Sequence, residues 1–506
     1  MSSLSQSYWK MFASLAVPLA FASAYVIIKR VRRSNSLRRD SSGGFLPRNG
    51  SKKKFQVLDD QSSSIEGGPR PSHWNSLGLE QPLVIAMVGL PARGKSYIVK
   101  MLIRYLTWTG FECEVFNVGS YRRQIGHQSA DSSFFDMSNQ NATKIREEMA
   151  MQVQEDMYAW LRVENLMKRR VAIFDATNTT KSRRYALAQK ARKENVLLLF
   201  VESMCDDENV LNRNYELKLQ NDDYKGMDNE KAMKDFIARV KAYEQVYESI
   251  EDTEDNQQIS YIKLINVGQK VITRYCHGYL PSQVAFYLQN VHIQPRKIFL
   301  SLNAENLDIA EDSMRLGGAE SGRLTDAGRQ YSLDLAKFIQ RKQDSLKDLG
   351  REVLVLAGTA RVHAETVLHL RMLYSCYNTP FLNELRGGDL HGYSREEIKR
   401  LYPFEDQKRE ADKLNYRYPG VGGESYLDVI ERIRPVIIEL ERQRRSVVIV
   451  CHLAVLRCIH AYFMGTKADQ IPYKQFKRHY VYELTPGPFG CTSCELKPSD
   501  ELQHMI

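Results

Sequence analysis

The stretch that decides the fold runs from Pro82 to Ser96 and reads PLVIAMVGLPARGKS. Its first seven residues form an apolar run of strand length, and the next eight match the phosphate-binding pattern G-x-x-x-x-G-K-[ST]. From Tyr97 to Thr109, apolar residues recur at helical spacing, and Gly110 is placed to end that helix. A strand, a loop and a helix in this order predict a P-loop domain.

The loop residues carry the chemistry of a nucleotide phosphate site. Gly89 and Gly94 allow backbone N–H groups to converge on phosphate oxygens, and the helix N-terminus adds its partial positive charge. Lys95 can reach the β- and γ-phosphates, and the Ser96 hydroxyl is a ligand for Mg²⁺. The loop therefore predicts ATP and Mg²⁺ as cofactors.

A second apolar run, Val171–Phe174, ends in Asp175. Beside a phosphate-binding loop, an acid at the carboxyl end of a strand orders Mg²⁺ or acts as a base. Any strand can end in Asp before a turn, so the interpretation of Asp175 depends on the loop. A strand pattern at Val196–Val201 and a helical pattern at Asp228–Tyr247 continue the alternation. We therefore predict an α/β fold with a doubly wound parallel sheet.

This part of the chain is also rich in arginine. A phosphorylated sugar needs several bidentate donors around its phosphate, so the arginines favour an anionic acceptor over a neutral one. The arginines concerned are Arg122, Arg123, Arg146, Arg183, Arg184 and Arg239.

The excess positive charge of the chain is confined to its N-terminal end. The formal net charge is +10, but residues 1–54 hold eleven Lys or Arg and a single acid, Asp40. The remainder is neutral, which argues against a nucleic-acid partner. Eight cysteines are too sparse for a disulfide framework and indicate a reducing compartment. Cys491 and Cys494 form a lone CxxC pair without the further ligands that a zinc site needs.

Segment 1–33 is predicted to be a membrane anchor or a targeting segment. Residues 11–28 read MFASLAVPLAFASAYVII, eighteen positions without a charge, which just reach across a bilayer core of about 30 Å. A cleaved signal peptide, a transit peptide and a merely apolar tail remain open. The dense basic flank that follows favours an anchor with the body facing the cytosol. The mitochondrial outer membrane and the endoplasmic reticulum both fit, and a soluble cytoplasmic protein is the alternative.

Residues 34–75 are rich in Ser, Gly, Arg and Lys and predict a flexible linker. Within it, Arg38-Arg39-Asp40-Ser41 resembles a basic-directed phosphorylation site, although Arg and Ser often occur together in linkers. Phosphorylation of Ser41 stays open.

Four motifs together resemble one enzyme family. GLPARGKS, FNVGSYRR, FDATNTT and VCHLAVLRC are similar to those of the bifunctional 6-phosphofructo-2-kinase/fructose-2,6-bisphosphatases, from about Gln81 to the mid-490s. The resemblance implies a P-loop kinase domain at 76–290 that phosphorylates fructose 6-phosphate on its 2-hydroxyl. A histidine-phosphatase-like α/β domain would follow at 291–490 and a C-terminal tail at 491–506. We also expect a homodimer.

The resemblance assigns roles to single residues. Lys95, Asp175 and Lys218 would be catalytic, Ser96 and Asp175 would bind the metal, and Cys205 would lie near the kinase site. The residues implied to bind ATP are Gly89, Arg93, Gly94, Lys95, Ser96 and Tyr97. The residues implied to bind the sugar phosphate or complete its site are Arg122, Arg146, Thr177, Arg183, Arg239 and Tyr243.

The second domain departs from the family pattern. Where the family has Arg-His-Gly-Glu, residues 302–305 read Leu-Asn-Ala-Glu. A histidine phosphatase needs an imidazole to attack phosphorus and an arginine to neutralise its oxygens, and Asn303 and Leu302 supply neither. A two-residue insertion before Gly317 further disturbs the following loop. The remaining pocket residues expected from the family are Arg361, Glu384, Arg417 and His452.

We therefore expect a degenerate phosphatase site and a kinase that works in one direction. Two alternatives stay open within the resemblance, namely a bifunctional enzyme with residual phosphatase activity and a non-enzymatic scaffold. A third is a P-loop kinase or polynucleotide end-processing enzyme with another acceptor, because the loop does not name the acceptor.

Overall fold

Two sheets, one in each half of the chain, organise the computed structural model. It describes residues 81–126, 132–136, 138–163, 170–310, 315–317, 322–345, 352–487 and 490–503. The predicted anchor at 1–33 and the predicted linker at 34–75 lie outside the described residues. Within the described ranges, no helix combines the length and apolar character needed to cross a bilayer.

The first sheet has the strand order β2-β3-β1-β4-β5-β6, in which only the β5–β6 pair is antiparallel. Its elements are β1 Leu83–Val88, α1 Lys95–Trp108, β2 Glu112–Asn117, α2 Val118–Gln124, α3 Gln140–Arg162, β3 Arg170–Asp175, α4 Lys181–Lys193, β4 Leu197–Met204, α5 Glu208–Leu219, α6 Asn229–Glu244, β5 Tyr261–Ile265, β6 Lys270–Arg274 and α7 Tyr279–Asn290, with 3-10 turns at Ser132–Phe135 and Glu254–Gln257. Central β1 pairs with β3 on one side and β4 on the other. The chain order reverses at β1, so a crevice forms at the carboxyl ends of β1 and β3.

Helix α1 follows the phosphate-binding loop directly and ends as its sequence predicts. Gly110 has a φ of +93°, and its N–H donates to the Thr107 carbonyl at 3.1 Å. The Phe111 N–H donates to the Leu106 carbonyl at 3.0 Å, which completes a Schellman motif. Glycine is favoured here because residues that carry a side chain rarely adopt this left-handed backbone conformation.

The second sheet has the order β12-β11-β7-β10-β8-β9, with a parallel centre and antiparallel β11 and β12 at one edge. Its elements are β7 Ile298–Leu302, α8 Leu307–Ala310, α9 Asp326–Ser345, β8 Leu354–Ala357, α10 Arg361–Thr366, α11 Leu368–Leu373, β9 Ser375–Asn378, α12 Arg395–Leu401, α13 Pro403–Ala411, α14 Tyr426–Arg442, β10 Val447–Cys451, α15 Leu453–Met464, β11 Val481–Gly487, β12 Gly490–Leu496 and α16 Pro498–Gln503, with 3-10 turns at Pro380–Leu382, Gly388–Leu390 and Ala468–Tyr473. The two mostly parallel sheets match the predicted fold class.

The C-terminus differs from the tail expected at 491–506. Residues Gly490–Leu496 form the edge strand β12, which pairs with β11 from Val481↔Leu496 to Gly487↔Gly490. Helix α16 follows, and Lys342 of α9 lies 3.6 Å from the Glu501 carboxylate. Strand β12 is mostly polar because an edge strand faces solvent, and its sequence therefore resembles a tail.

One hydrophobic cluster extends from the first half of the chain into the second. The Tyr105 ring of α1 stacks on Tyr287 of α7, with centroids 4.2 Å apart. Trp108 of α1 packs edge-on against Tyr462 of α15 at 5.4 Å. Helix α1 therefore packs against the first sheet and against α15 of the second half.

Candidate active site

The phosphate-binding loop is shaped by its two glycines. Gly89 has a φ of +133°, and a Cβ there would lie 2.5 Å from the Ser203 carbonyl oxygen. Gly94 has a φ of +90° and precedes the first residue of α1. Neighbouring strands hold the loop, since the Gly89 N–H donates to the Thr177 carbonyl at 3.0 Å. The loop thus presents the N-terminus of a long helix, where an anion is stabilised.

The Lys95 side chain is buried and folded back over the loop. Its ammonium group donates to the carbonyl oxygens of Gly89 at 2.8 Å and Leu90 at 2.6 Å. Burial lowers the pKa of Lys95 to about 7, although the nearby Asp175 acts in the opposite direction. A phosphate in the loop would favour the charged form and attract the ammonium away from the carbonyls.

Asp175 ends β3 and is buried at the floor of the same crevice. The Asn117 side-chain amide, at the end of the adjacent β2, donates to its carboxylate. Burial raises the pKa of Asp175, against the opposing effects of Lys95 and Asn117. A carboxyl group held between a lysine and an amide donor suits either metal binding or proton transfer.

The donors at this position fit Mg²⁺. The Ser96 hydroxyl and the Asp175 carboxylate line one cavity, and Mg²⁺ prefers such hard oxygen ligands with phosphate oxygens and water completing its shell. No group of three or more His, Cys, Asp or Glu placed to hold a metal occurs among the described residues. A Mg²⁺ site whose remaining ligands come from the nucleotide and from water does not require such a group of side chains.

A cavity of about 970 Å³ brings most of the predicted kinase residues together. The predicted residues that line it are Gly94, Lys95, Ser96, Tyr97, Arg122, Arg146, Asp175, Thr177, Arg183, Lys218, Arg239 and Tyr243. Lys218 of α5 is half-buried, and burial lowers its pKa against the opposing effect of Asp175. The cavity therefore joins the loop lysine, the buried acid and the arginines in one space.

Two predicted ATP-binding residues have other partners. The Arg93 guanidinium lies 3.1 Å from the Tyr215 hydroxyl and 3.2 Å from the Glu244 carboxylate, so it braces α5 and α6 against the loop. The Tyr97 hydroxyl donates to the His292 carbonyl at 3.1 Å, and burial raises its pKa to about 12. Cys205 follows β4 close to Arg93, and burial raises the pKa of its thiol.

The far end of the cavity contains an acid that sequence reasoning missed. The Asp223 carboxylate lies 2.6 Å from Arg122, 3.6 Å from Arg239 and 3.7 Å from Arg123. The Phe135 ring lies under these arginines, 3.7 Å from the Arg239 guanidinium carbon and 5.4 Å from that of Arg122. The Asp223 carboxylate and the Phe135 ring together hold a cluster of arginines, and the positive charge of this cluster suits an anionic acceptor.

Arg146 of α3 completes this end of the cavity. Its guanidinium donates to the Thr143 hydroxyl at 2.8 Å. Burial lowers the pKa of Arg146, with Tyr243 opposing and Arg183 adding to the effect. The arginines gathered here therefore repel one another in a partly buried space, which favours binding of a phosphate.

In the second domain, Leu302 and Asn303 lie at the carboxyl end of β7. Leu302 is buried within the hydrophobic core. The Asn303 side chain is also buried and donates only to the neighbouring Ala304 carbonyl, at 3.2 Å. Arg478 donates to the Asn303 backbone carbonyl at 2.9 Å. The side chain at position 303 is therefore an amide that is buried in a packed part of the domain.

His452 and Glu384 are brought together beside Asn303. The His452 Nδ1 atom lies 3.5 Å from the Glu384 carboxylate, and the backbone N–H of Asn303 donates to the carbonyl of Cys451 at 3.1 Å. Burial, together with Arg478 and Arg432, lowers the pKa of His452 to about 3. The imidazole is therefore neutral near pH 7.

The other two expected pocket residues are more than half exposed and pair with acids. Arg361 is 58% exposed and pairs at 2.8 Å with Glu365 on its own helix. Arg417 is 53% exposed and pairs with Asp428. At the start of α10, the buried residues are Val362 and His363, and the His363 ring packs edge-on against His452 at 4.4 Å. A second histidine therefore packs beside His452.

Comparison with known proteins agrees with this architecture. The family described as 6-phosphofructo-2-kinase matches residues 72–295, and the histidine phosphatase superfamily (branch 1) matches residues 310–495. A probable 6-phosphofructo-2-kinase of Schizosaccharomyces pombe is 38% identical over 466 residues, which cover 81% of this chain and 69% of that protein.

Animal relatives are equally similar along most of the chain. The human 6-phosphofructo-2-kinase/fructose-2,6-bisphosphatase 3 is 39% identical over 83% of this chain and 78% of its own length. The Caenorhabditis elegans 6-phosphofructo-2-kinase/fructose-2,6-bisphosphatase is 40% identical over 81% of this chain and 88% of its own. With both halves matched in this order, the chain belongs to the 6-phosphofructo-2-kinase/fructose-2,6-bisphosphatase family.

Proposed function

We propose that this chain transfers the γ-phosphoryl group of ATP to the 2-hydroxyl of fructose 6-phosphate, which makes fructose 2,6-bisphosphate. The observation that carries the proposal is the single cavity with the phosphate loop and Lys95 at one end and the Arg122–Asp223 group at the other. The nucleotide and the sugar phosphate would enter from opposite ends, so their reacting atoms would meet beside Asp175.

The roles follow from charge and position. Lys95 would leave the loop carbonyls and neutralise the charge that develops on the transferring phosphoryl group. Asp175 would accept the proton of the sugar hydroxyl, and its raised pKa brings it closer to that role. Mg²⁺ held at Ser96 and Asp175 would neutralise phosphate oxygens. Arg122, Arg146 and Arg239 would hold the phosphate of the acceptor.

The test is incubation of the full-length protein with Mg²⁺, labelled ATP and a panel of acceptors. The panel contains fructose 6-phosphate, other hexose phosphates and a polynucleotide with a free 5′-hydroxyl. We expect label only at the 2-position of fructose 6-phosphate. Labelling of another acceptor would support a different P-loop kinase, and absence of all labelling would support a scaffold.

We further propose that the second domain has lost fructose-2,6-bisphosphatase activity. Three features support this: the buried Asn303 amide in place of an imidazole, Leu302 packed into the core, and the pairing of the exposed Arg361 with Glu365. Loss of a nucleophile costs roughly three to six orders of magnitude in rate. A bifunctional enzyme with residual activity is the competing proposal.

We also propose that segment 1–33 attaches the enzyme to a membrane with its catalytic body in the cytosol. The support is the uncharged run at 11–28 with its basic flanks. Full-length protein and a chain that starts at Asn75 should be expressed in cells and fractionated. We expect carbonate-resistant pelleting of the first and solubility of the second, whereas two soluble proteins would contradict the proposal.

A further inference from the structure

Helix α1 connects the phosphate loop to the second domain. Its first turn contains Lys95 and Ser96, and its last turn lies against α15, where the Trp108 indole N–H donates to the Cys458 carbonyl at 2.8 Å. The direction of a helix fixes where its N-terminal N–H groups and first side chains point. A contact that orients the C-terminal end of α1 therefore also orients the phosphate-binding loop at its N-terminal end.

The Glu441 carboxylate of α14 fixes the C-terminal end of α1. Its side chain is 1% exposed and receives hydrogen bonds from Arg104 of α1, from Arg296 at 2.7 Å and from the Tyr462 hydroxyl at 2.6 Å. Burial acts to raise the pKa of Glu441, but the two arginines and the hydroxyl outweigh it, so its pKa is lowered. Glu441 is therefore charged, and it joins Arg104 of the first domain to α14, to α15 and to Arg296, which precedes β7.

A buried ion cluster of this kind contributes more to specificity than to stability. Desolvation of its charges offsets most of their attraction, and its best-attested role is to select one packing arrangement among several. The Arg104 guanidinium also lies over the Tyr462 ring at 4.7 Å. The carboxylate therefore links α1 directly to α14 and, through Tyr462, to α15.

A second connection reaches the loop end of α1. The Tyr97 hydroxyl donates to the His292 carbonyl at 3.1 Å. The His292 ring in turn donates from Nε2 to the Gln443 carbonyl at 2.9 Å and accepts at Nδ1 from the Gln294 N–H at 3.0 Å. Gln443 lies two positions after Glu441. Both ends of α1 are thus tied to the C-terminal end of α14.

We propose that Glu441 is a positioning residue for the kinase reaction, and that the second domain serves to orient the phosphate loop of the first. About 14 Å of helix separates Arg104 from Lys95 at 1.5 Å per residue, so a small tilt at Arg104 displaces Lys95 and Ser96. A misplacement of about 1 Å costs up to about 100-fold in rate. This inference rests on the proposed kinase activity.

The part of the cavity proposed to bind the sugar phosphate provides an internal control for changes in nucleotide binding. Arg122 and Arg239 are held by Asp223 and Phe135, all within the first domain. A disturbance at Glu441 should therefore reach the nucleotide and leave the sugar phosphate in place. General destabilisation of the fold would instead change the KM values for both substrates.

The experiment compares full-length wild type with Glu441→Gln and with the control Glu396→Gln. Glu396 is an exposed residue in the first turn of α12, which also belongs to the second domain. For Glu441→Gln we expect the KM for ATP to rise by about tenfold or more. The KM for fructose 6-phosphate should stay within about twofold, and thermal unfolding should remain cooperative. Glu396→Gln should match wild type in all three measurements.

The inference is overturned if folded Glu441→Gln keeps the wild-type KM for ATP, or if both KM values rise together. If Glu441→Gln does not fold, Trp108→Phe decides, because it removes the indole N–H donated to Cys458, together with part of the buried ring that packs on Tyr462, and should raise the KM for ATP alone. Binding of a fluorescent ADP analogue with Mg²⁺ is measured in parallel. If the wild type makes no product, the proposed function fails, and the ratio of nucleotide affinities between wild type and variant still tests the role of Glu441.

Discussion

The Asp223 carboxylate lies 2.6 Å from the Arg122 guanidinium, although 101 positions separate the two residues in the chain. Both side chains are nearly fully buried, and Arg239 approaches the same carboxylate at 3.6 Å. One acid therefore compensates several guanidinium groups that would otherwise repel each other. It also fixes the direction in which those groups face the cavity.

Asp223→Asn should weaken binding of the sugar phosphate. Without the negative charge, Arg122 and Arg239 repel each other and lose their shared orientation, so we expect the KM for fructose 6-phosphate to rise by about tenfold. The KM for ATP should stay within about twofold. The preceding residue, Asp222, is exposed, and Asp222→Asn is therefore the matched control. A fall in the KM for fructose 6-phosphate would mean that Asp223 competes with the substrate instead of organising its site.

Lys95→Met should remove catalysis and leave the fold intact. The methionine fills the buried space of the lysine stem but cannot stabilise charge on the transferring phosphoryl group, so kcat should fall by about 100-fold or more. Formation of fructose 2,6-bisphosphate and thermal unfolding should be measured side by side. Lys193→Met, on the exposed end of α4, is the control. Wild-type turnover in Lys95→Met would contradict the assignment of this loop.

Nucleotide binding should take up a proton above neutral pH. In the free protein the pKa of Lys95 is about 7, so at pH 8 most molecules carry a neutral amine. Phosphate oxygens favour the ammonium form and raise this pKa, so Mg·ATP binding at pH 8 draws a proton from the buffer. Below about pH 6 the lysine is already charged and the uptake should disappear.

Calorimetric titrations in buffers of different ionisation enthalpy measure this uptake. The affinity should fall as the pH rises above 7, because the proton becomes harder to obtain. Lys95→Met should bind without the uptake, and Lys193→Met should keep it. Uptake that persists in Lys95→Met would assign the proton to another group.

The unmodified protein should form no phosphoenzyme from fructose 2,6-bisphosphate labelled at the 2-position. Asn303 has no nucleophilic lone pair on nitrogen, and His452, with its pKa of about 3, lies edge-on against His363 in a packed site. Acid quench and phosphate release provide the two measurements. The combined change Leu302→Arg, Asn303→His and Ala304→Gly should not restore activity, since Arg361 is exposed and paired with Glu365. An acid-labile phosphoenzyme in Lys95→Met would show that another residue, such as His452, acts as a substitute nucleophile.

The sequence was sufficient for the nucleotide end of the cavity because that end is built locally. Strand, glycine loop and helix are consecutive from Leu83 to Trp108, and each has its own pattern. Asp175 could be predicted for the same reason, since it directly follows an apolar run. Asn117 lay within the FNVGSYRR motif, although nothing in its spacing pointed to Asp175.

The acceptor end and the second domain required the tertiary structure. Asp223 lies in a polar segment between α5 and α6 without periodicity, and only the fold places it beside Arg122. At the start of α10, Arg361 and Val362 are adjacent, and the sequence alone does not show which of them is buried. Strand β12 was missed because an edge strand needs no apolar run.

The contact between Arg104 and Glu441 joins residues 337 positions apart. During synthesis at about 5 to 20 residues per second, Arg104 therefore waits roughly 20 to 70 seconds for its partner to be made. In that interval the Trp108 ring also lacks its surroundings in α15. The first half of the chain thus completes its packing only after most of the second has left the ribosome. A chain that stops before Glu441 would expose an unpaired guanidinium and an aromatic ring to chaperones.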